Sequence, residues 1–427
     1  MSRRAVLWIA FVVVHVGVAV LGWILPNSPM GDVYLVYEKW SLAFFHGGYV
    51  TPEDYPLVEG IVHVGFVGLD SPWVYPQLAL VPMLLAWAFG WAISYTPAWA
   101  VLVILIDAAA FAVLVGRGRG TGRTVAAWFW LMFIALLGPV ALYRIDAITV
   151  PLSILGCLWL VRRPWLGSIL LAIATWMKVW PAALLAAAVI AVRRRVAVVG
   201  GALAVSLVTL AVVVLAGGGA YAFGFIGDQT GRDLQVEAPV STFYLWDAML
   251  GGGSRVYYDP VLLTFEASGP FADAVVSAMT PVLLIAVLAV AGVGAAKVWR
   301  GAAFARLFPA LALALVSAFI VFNKVGSPQY MVWLSVPLVI GLVLDRRRWW
   351  GPASLGLGIA LCTQVIYPLT YYDLLAAQPF PVAVITVRNA LLVVLFVWST
   401  VLLGRVAAPT LAATASVRSE SATVGGS

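Results

Sequence analysis

The sequence is short of charge. It runs to 427 residues, and only 10% of them are charged, where soluble domains carry about a quarter. That deficit excludes the two or three soluble domains that the length would allow. Cysteine is nearly absent: Cys157 and Cys362 both fall inside apolar runs, so neither a disulfide framework nor a thiolate metal site is expected. The three histidines, His15, His46 and His63, lack ligand spacing and no Asp-x-Asp triplet occurs, so no metal and no cofactor are expected. Alternating segments of about ten residues are missing, which excludes a transmembrane β-barrel. No internal repeat is visible, although many transporters are built from two related halves. No small-residue cleavage site follows the first apolar run, which is therefore read as a retained span and not a signal peptide.

Apolar residues are what the chain does have. They make up 63% of it, in runs of about 18 or more, the length that crosses a bilayer as a helix. The expectation is an all-α polytopic membrane protein. Candidate spans lie at 5–25, 74–93, 98–115, 124–142, 147–161, 196–216, 273–295, 303–322, 329–344, 351–369 and 382–403. The stretch 165–192 reads as two short helices meeting at Lys178–Pro181. Two long outer loops, 26–73 and 217–272, interrupt a single domain over 1–405, and a disordered cytoplasmic tail is expected over 406–427. The net charge of +7 is no nucleic-acid signal. The bases sit in short clusters between apolar runs, as the positive-inside rule requires. Arg3–Arg4, Arg162–Arg163, Arg193–Arg195, Lys297 with Arg300, Arg346–Arg348 and Arg405 all belong to one, cytoplasmic, side. Arg117–Arg123 belongs there too, yet two spans between 74 and 115 would put it outside. One candidate must therefore fail to cross, either the broken pair around Ser94–Pro97 or a short helix. About 12 spans with both termini cytoplasmic result.

Two thirds of the carboxylates lie in the outer loops: Asp32, Glu38, Glu53, Asp54, Glu59 and Asp70 in the first, and Asp228, Asp233, Glu237, Asp247, Asp259 and Glu266 in the second. Most are explained as solvated loop residues. Asp32 stands apart, opening a segment in which Val33, Val36, Tyr37, Trp40 and Phe44 share a helical face. This reads as an interfacial helix on the outer leaflet, with Asp32 at its N-terminus as an N-cap, a catalytic group, or both.

Five segments stand out in order along the chain: Gly31-Asp32-Val33-Tyr34 after the first span, Trp73-Val74-Tyr75-Pro76-Gln77 before the second, Lys178-Val179-Trp180-Pro181 at the helix break, Arg232-Asp233-Leu234-Gln235-Val236-Glu237 in the second outer loop, and Ser327-Pro328-Gln329-Tyr330 late in the chain. Together they resemble the GT-C superfamily of membrane glycosyltransferases. The nearer resemblance is to glycosyltransferase family 87, the polyprenyl-phosphomannose-dependent α-mannosyltransferases of actinobacteria. Tyr143-Arg144-Ile145-Asp146 and Lys324 depart from the family pattern. The resemblance implies a GT-C-type fold with short interfacial helices in the outer loops and a polyprenyl-phosphate sugar donor. It further implies a glycolipid or polysaccharide acceptor among membrane lipids, and an active site on the extracytoplasmic face of the plasma membrane.

The residues suit that chemistry. A lipid phosphate leaves without a proton donor, so one base that takes the proton of the acceptor hydroxyl is sufficient, whereas glycosidases need two carboxylates. Asp32 is the candidate base, with Glu38 as fallback, and direct displacement inverts the anomeric carbon. Lys178, Arg232, Lys324 and Arg144 are candidates for the donor phosphate, since charges at membrane depth are costly and mark function. Structural alternatives are a pairing of Arg144 with Asp146, of Arg388 with Asp373, and of Arg232 with Asp228 or Glu237. Tyr34, Tyr75, Gln235, Glu237 and Gln329 are candidate substrate contacts. His15, mid-span, reads as a packing residue. The competing classes are a transporter or lipid flippase using Lys178, Arg144 and Asp107 at depth, and a ligase or polymerase of lipid-linked glycans.

Overall fold

Away from water, a lone segment satisfies its own backbone N–H and C=O groups only as a helix, and the apolar runs here become helices. The computed structural model describes residues 2–407, apart from 52–61, 64, 119, 231 and 261–263. Glu53, Asp54, Glu59, Gly231, the side chain of Asp228 and the tail from residue 408 lie outside the described residues. Among those described, eight helices are long and apolar enough to cross a membrane: Arg3–Ile24, Tyr95–Val115, Thr121–Ala141, Arg195–Leu215, Ala272–Trp299, Phe304–Val321, Pro328–Leu369 and Pro379–Gly404. Four shorter apolar helices join them: Gln77–Phe89, Asp146–Trp159, Pro164–Met177 and Ala182–Ala191. The chain is a helical, multi-pass membrane protein. Burial sorts the helices: Pro328–Leu369 is 83% buried at its most apolar stretch and forms the centre, whereas Ala272–Trp299 is 6% buried and lies at the periphery.

The arginine clusters gather at one end of the bundle. Gly118, in the turn after Tyr95–Val115, packs against Arg4 at the start of the first helix. Thr121–Leu137 starts beside the Leu342 and Val343 carbonyls, next to the break at Asp345, where φ −148° and ψ 67° leave the helical region. Gly341 permits that hairpin because the Trp349 indole occupies the space a Cβ would take. Lys297 Nζ donates to the carbonyls of Gly404 and, at 3.1 Å, Val406. The Arg117–Arg123 cluster therefore sits with the other cationic turns.

Among the shorter apolar helices, Gln77–Phe89 is the one whose two ends are tied to the same end of the bundle. Both of its ends lie at the opposite, loop-bearing end. Gln77 Nε2 donates to the Tyr221 carbonyl at 3.1 Å, and Trp87 Nε1 donates to Ser41 Oγ at 2.8 Å. The next helix starts there as well, with Tyr95 OH donating to the Met83 carbonyl at 3.0 Å. The stretch 165–192 splits as expected, with Lys178 in an extended conformation between its two helices. Midway down the bundle His15 Nε2 lies 3.1 Å from Asp107 Oδ2, while Nδ1 lies 2.9 Å from the Phe11 carbonyl. This buried pair ties the first helix to Tyr95–Val115, so Asp107 is a helix–helix contact.

The outer loops add strands to a helical expectation. Tyr49–Val50 pairs antiparallel with Val62–His63. Arg255–Asp259 pairs antiparallel with Thr264–Ser268, and the rings of Tyr258 and Phe265 face each other at 5.0 Å across that hairpin. Paired aromatics on a short, half-buried ribbon favour this geometry.

Candidate active site

Three turns deliver the charged groups to the loop end. The first is Leu25–Gly31, where Asn27 and Ser28 both adopt left-handed φ, +61° and +47°, and Asn27 Nδ2 donates to the Pro368 carbonyl. It feeds Asp32 into a helix that runs as a π-helix over Asp32–Tyr37 and as an α-helix over Glu38–Phe45. The second follows Thr121–Leu137. Gly138 takes φ +67° there, and the Gln364 side chain fills the place of its missing Cβ. It presents Tyr143-Arg144-Ile145-Asp146, anchored by Tyr143 OH donating to the Ala19 carbonyl at 3.0 Å. The third is the Lys178–Pro181 break.

The N-cap position expected of Asp32 is taken by Gly31, and Asp32 is the first residue inside the helix. Its Oδ2 lies 3.3 Å from Arg144 Nε, the aspartate side chain one-third exposed and the guanidinium buried. Arg144 is itself held on several sides. Nε donates to Gln329 Oε1 at 3.2 Å, Nη1 to the Pro29 and Tyr143 carbonyls at 3.1 Å each, and Nη2 to Tyr367 OH at 3.0 Å. Gln329 is fixed in turn by Ser327 Oγ at 2.8 Å. Tyr367 comes from a kink in Val365–Leu369, where its own backbone is extended at φ −131° and ψ 119°. The irregular turns at Asp32 and at Tyr367 thus converge on Arg144.

Lys178 Nζ sits 4.4 Å from the centroid of the Tyr75 ring, a cation–π distance. Tyr75 is boxed by the rings of Trp73, Trp40 and Tyr37 at 5.8, 5.9 and 6.4 Å. The charged groups acting most strongly on Lys178 are Asp146, then Arg232, Asp32 and Arg144. Arg232 Nε is buried without a hydrogen-bond partner. The structure therefore brings together Asp32, Arg144, Lys178, Arg232, Tyr75 and Gln329. Tyr34 packs, half-buried, on the main core. Glu38 opens the α-helical part of the same segment, six residues after Asp32.

Three candidates are engaged in holding the second long loop. Lys324 is buried among the loop acids. Burial pushes its ammonium down from the usual lysine range, and Asp233 and Glu266 oppose that shift. Gln235 is built into the backbone of the loop: its N–H donates to the Lys324 carbonyl at 3.0 Å, and its carbonyl accepts from Ser241 Oγ at 2.6 Å. Glu237 is a fully buried anchor. Arg388 Nη1 donates to its Oε2 at 3.1 Å and Nη2 to its carbonyl. The pairings expected of Arg388 with Asp373 and of Arg144 with Asp146 are thus replaced, by Glu237 and Asp32. Glu237 is also taken from Arg232. Each arginine reaches the carboxylate that its neighbouring turn carries into the interior, while Asp373 stays exposed.

Sequence reasoning missed Tyr367, Trp333 and the Asn27–Ser28 turn. Trp333 Nε1 donates to Asp146 Oδ1 at 2.6 Å, a contact across 187 positions that no local pattern signals. An apolar groove of about 280 Å³ runs between Gln77–Phe89 and Arg195–Leu215, lined by Phe44, Leu69, Gln77, Leu78, Val208 and Val212. Compared with known proteins, the chain matches no family model, no curated protein and no solved structure.

Proposed function

We propose that this chain is a GT-C-type glycosyltransferase of the plasma membrane with twelve crossings. It transfers a sugar, mannose by the family resemblance, from a polyprenyl-phosphate donor to a glycolipid or polysaccharide acceptor at the outer face. Twelve crossings follow if Pro328–Leu369 passes twice about Asp345, the three short helices between Asp146 and Ala191 each pass once, and Gln77–Phe89 does not pass. Every arginine cluster then faces the cytoplasm. The observation that carries the reading is Asp32: a partly exposed carboxylate, held by a buried arginine, at the loop end of an apolar bundle and within reach of further cations.

In the proposed step the acceptor hydroxyl oxygen attacks the anomeric carbon on the face opposite the phosphate. Its proton passes to the Asp32 carboxylate. The bond from the anomeric carbon to the phosphate oxygen breaks, and its electron pair leaves with the lipid phosphate. Lys178 and Arg232 receive that phosphate by charge-assisted hydrogen bonds. Arg144, its donors largely committed to the protein, orients Asp32. Formally the cluster sets three cations against Asp32 and Asp146, leaving a positive surplus for an anion. The groove beside Gln77 takes part of the lipid chain. The test is reconstitution of the purified protein with polyprenyl-phosphate [14C]mannose and extracted envelope glycolipids. Label moving from donor to acceptor lipid is expected. A protein that leaves every such donor intact would overturn the reading.

A further inference from the structure

The buried half of the charged cluster holds an acid to which the transfer step gives no task. Asp146 opens the helix Asp146–Trp159 and is fully buried. Its Oδ1 accepts the Trp333 indole N–H at 2.6 Å, while Oδ2 is buried without any hydrogen-bond partner. A buried carboxylate left half-satisfied is costly, so its persistence calls for a charge nearby. The charge at hand is Lys178, at the helix break that packs on the Asp146 turn through Trp180 and Trp333, and Asp146 is the acid that most sustains its ammonium. Among the described residues no ion pair joins the two directly, and the aromatic packing sets how their turns meet. Trp180, two residues beyond Lys178, stacks on Trp333 at 5.6 Å with ring planes 9° apart. The far face of Trp333 is stacked on Tyr330 at 4.1 Å. Trp180 Nε1 donates to Thr149 Oγ1 at 3.0 Å, and that hydroxyl donates back to the Asp146 carbonyl at 3.0 Å. The helix break carrying Lys178 and the helix start carrying Asp146 are thereby locked as one unit.

We propose that Asp146 is a positioning residue, the fixed counter-ion that keeps the Lys178 ammonium charged and in place at the phosphate subsite without itself touching substrate. This rests on the assignment of Lys178 to the donor phosphate. The chemistry is a desolvated amine that would otherwise shed its proton. A carboxylate held just out of contact sustains the charge while leaving the N–H donors to the incoming anion.

The chain has only four lysines, Lys39, Lys178, Lys297 and Lys324, so acetylation by acetic anhydride can be followed at each by mass spectrometry across pH. In Asp146→Asn, which keeps the acceptor for Trp333, the pH midpoint for Lys178 labelling is expected to fall by about 1–3 units. Its labelling at neutral pH should rise at least tenfold, with Lys297 unchanged. Asp146→Glu should restore most of the protection. An unchanged Lys178 profile in Asp146→Asn would overturn the proposal. Lys178→Met supplies a reciprocal arm should Asp146→Asn not fold. Without its cation, Asp146 should become reactive to dicyclohexylcarbodiimide, which modifies protonated carboxyls, and continued inertness there would equally overturn it. These arms need no sugar donor. Polyprenyl phosphate added to the wild type should slow Lys178 acetylation. A lack of protection would remove the phosphate assignment and leave the counter-ion result standing.

Discussion

In the proposed reaction Asp32 serves as the base, since Arg144 holds one of its oxygens while its side chain stays one-third exposed. Arg144 suits that task through its fan of fixed N–H donors, four of which are directed at protein oxygens. A lysine could not reproduce the arrangement. Lys178 differs: its ammonium rests on the Tyr75 face and leaves donors for a ligand. Lys178→Met should therefore raise the concentration of polyprenyl-phosphate sugar needed for half-maximal rate by about tenfold or more, the worth of one charge-assisted contact. The acceptor requirement should stay within about twofold. Steady-state rates with donor and acceptor varied separately decide this. A change confined to the acceptor would move Lys178 out of the phosphate subsite.

The elements that shape the site are irregular ones: a π-helical turn at Asp32, a kink at Tyr367, a helix broken at Lys178–Pro181, and a second long loop anchored by a buried ion pair. That pair, Glu237 with Arg388, is completed by Asn389 Oδ1, which accepts from Arg388 Nε and Nη2 at 3.0 and 2.8 Å. Removing one partner strands the other as an uncompensated buried charge. Glu237→Gln or Arg388→Met alone should cost about 3–5 kcal/mol, and the double variant clearly less than the sum of the two. Denaturant titration of all four proteins in detergent measures the cycle. Additive losses would show that the loop is held by other contacts. The break at Lys178–Pro181 was legible because lysine and proline interrupt an apolar run. The π turn at Asp32 was not, because Val33, Val36 and Tyr37 fit an ordinary helical face equally well. The Glu237–Arg388 pair was also hidden, since 151 positions separate its members and the nearer Asp373 offered a competing partner.

At the scale of the whole molecule, the apolar runs and arginine clusters carried most of the architecture in the sequence. Hydropathy marked where helices lie, and the conflict at Arg117–Arg123 required that one candidate stay on a single side. Which one required the contacts of Gln77 with Tyr221 and of Trp87 with Ser41, and those depend on tertiary packing alone. The site was legible in part for a similar reason. Costly charges at membrane depth stand out singly, but their pairing is decided by which turns meet. The topology has a direct check. In a background with Cys157 and Cys362 replaced by alanine, single cysteines at Tyr49 and Gly253, both exposed at the loop end, should react with a membrane-impermeant maleimide added to intact cells. Cysteines at Arg194 and Arg347, exposed at the opposite end, should react only after lysis. The reverse pattern would invert the bundle and place Asp32 away from an outer-face donor.

The central claim is that Asp32 takes the proton of the acceptor in a sugar transfer. Asp32→Asn keeps the size of the side chain and an oxygen facing Arg144 but removes the base. The decisive measurement is single-turnover transfer of [14C]mannose from polyprenyl phosphate by the wild type and by Asp32→Asn in the same lipid nanodiscs. Both should remain folded, as judged by a cooperative thermal unfolding transition above the assay temperature. The account predicts a loss of about 10²–10⁴-fold in the variant, with donor still bound. Turnover by Asp32→Asn within a few-fold of the wild type would contradict it and shift the base to Glu38.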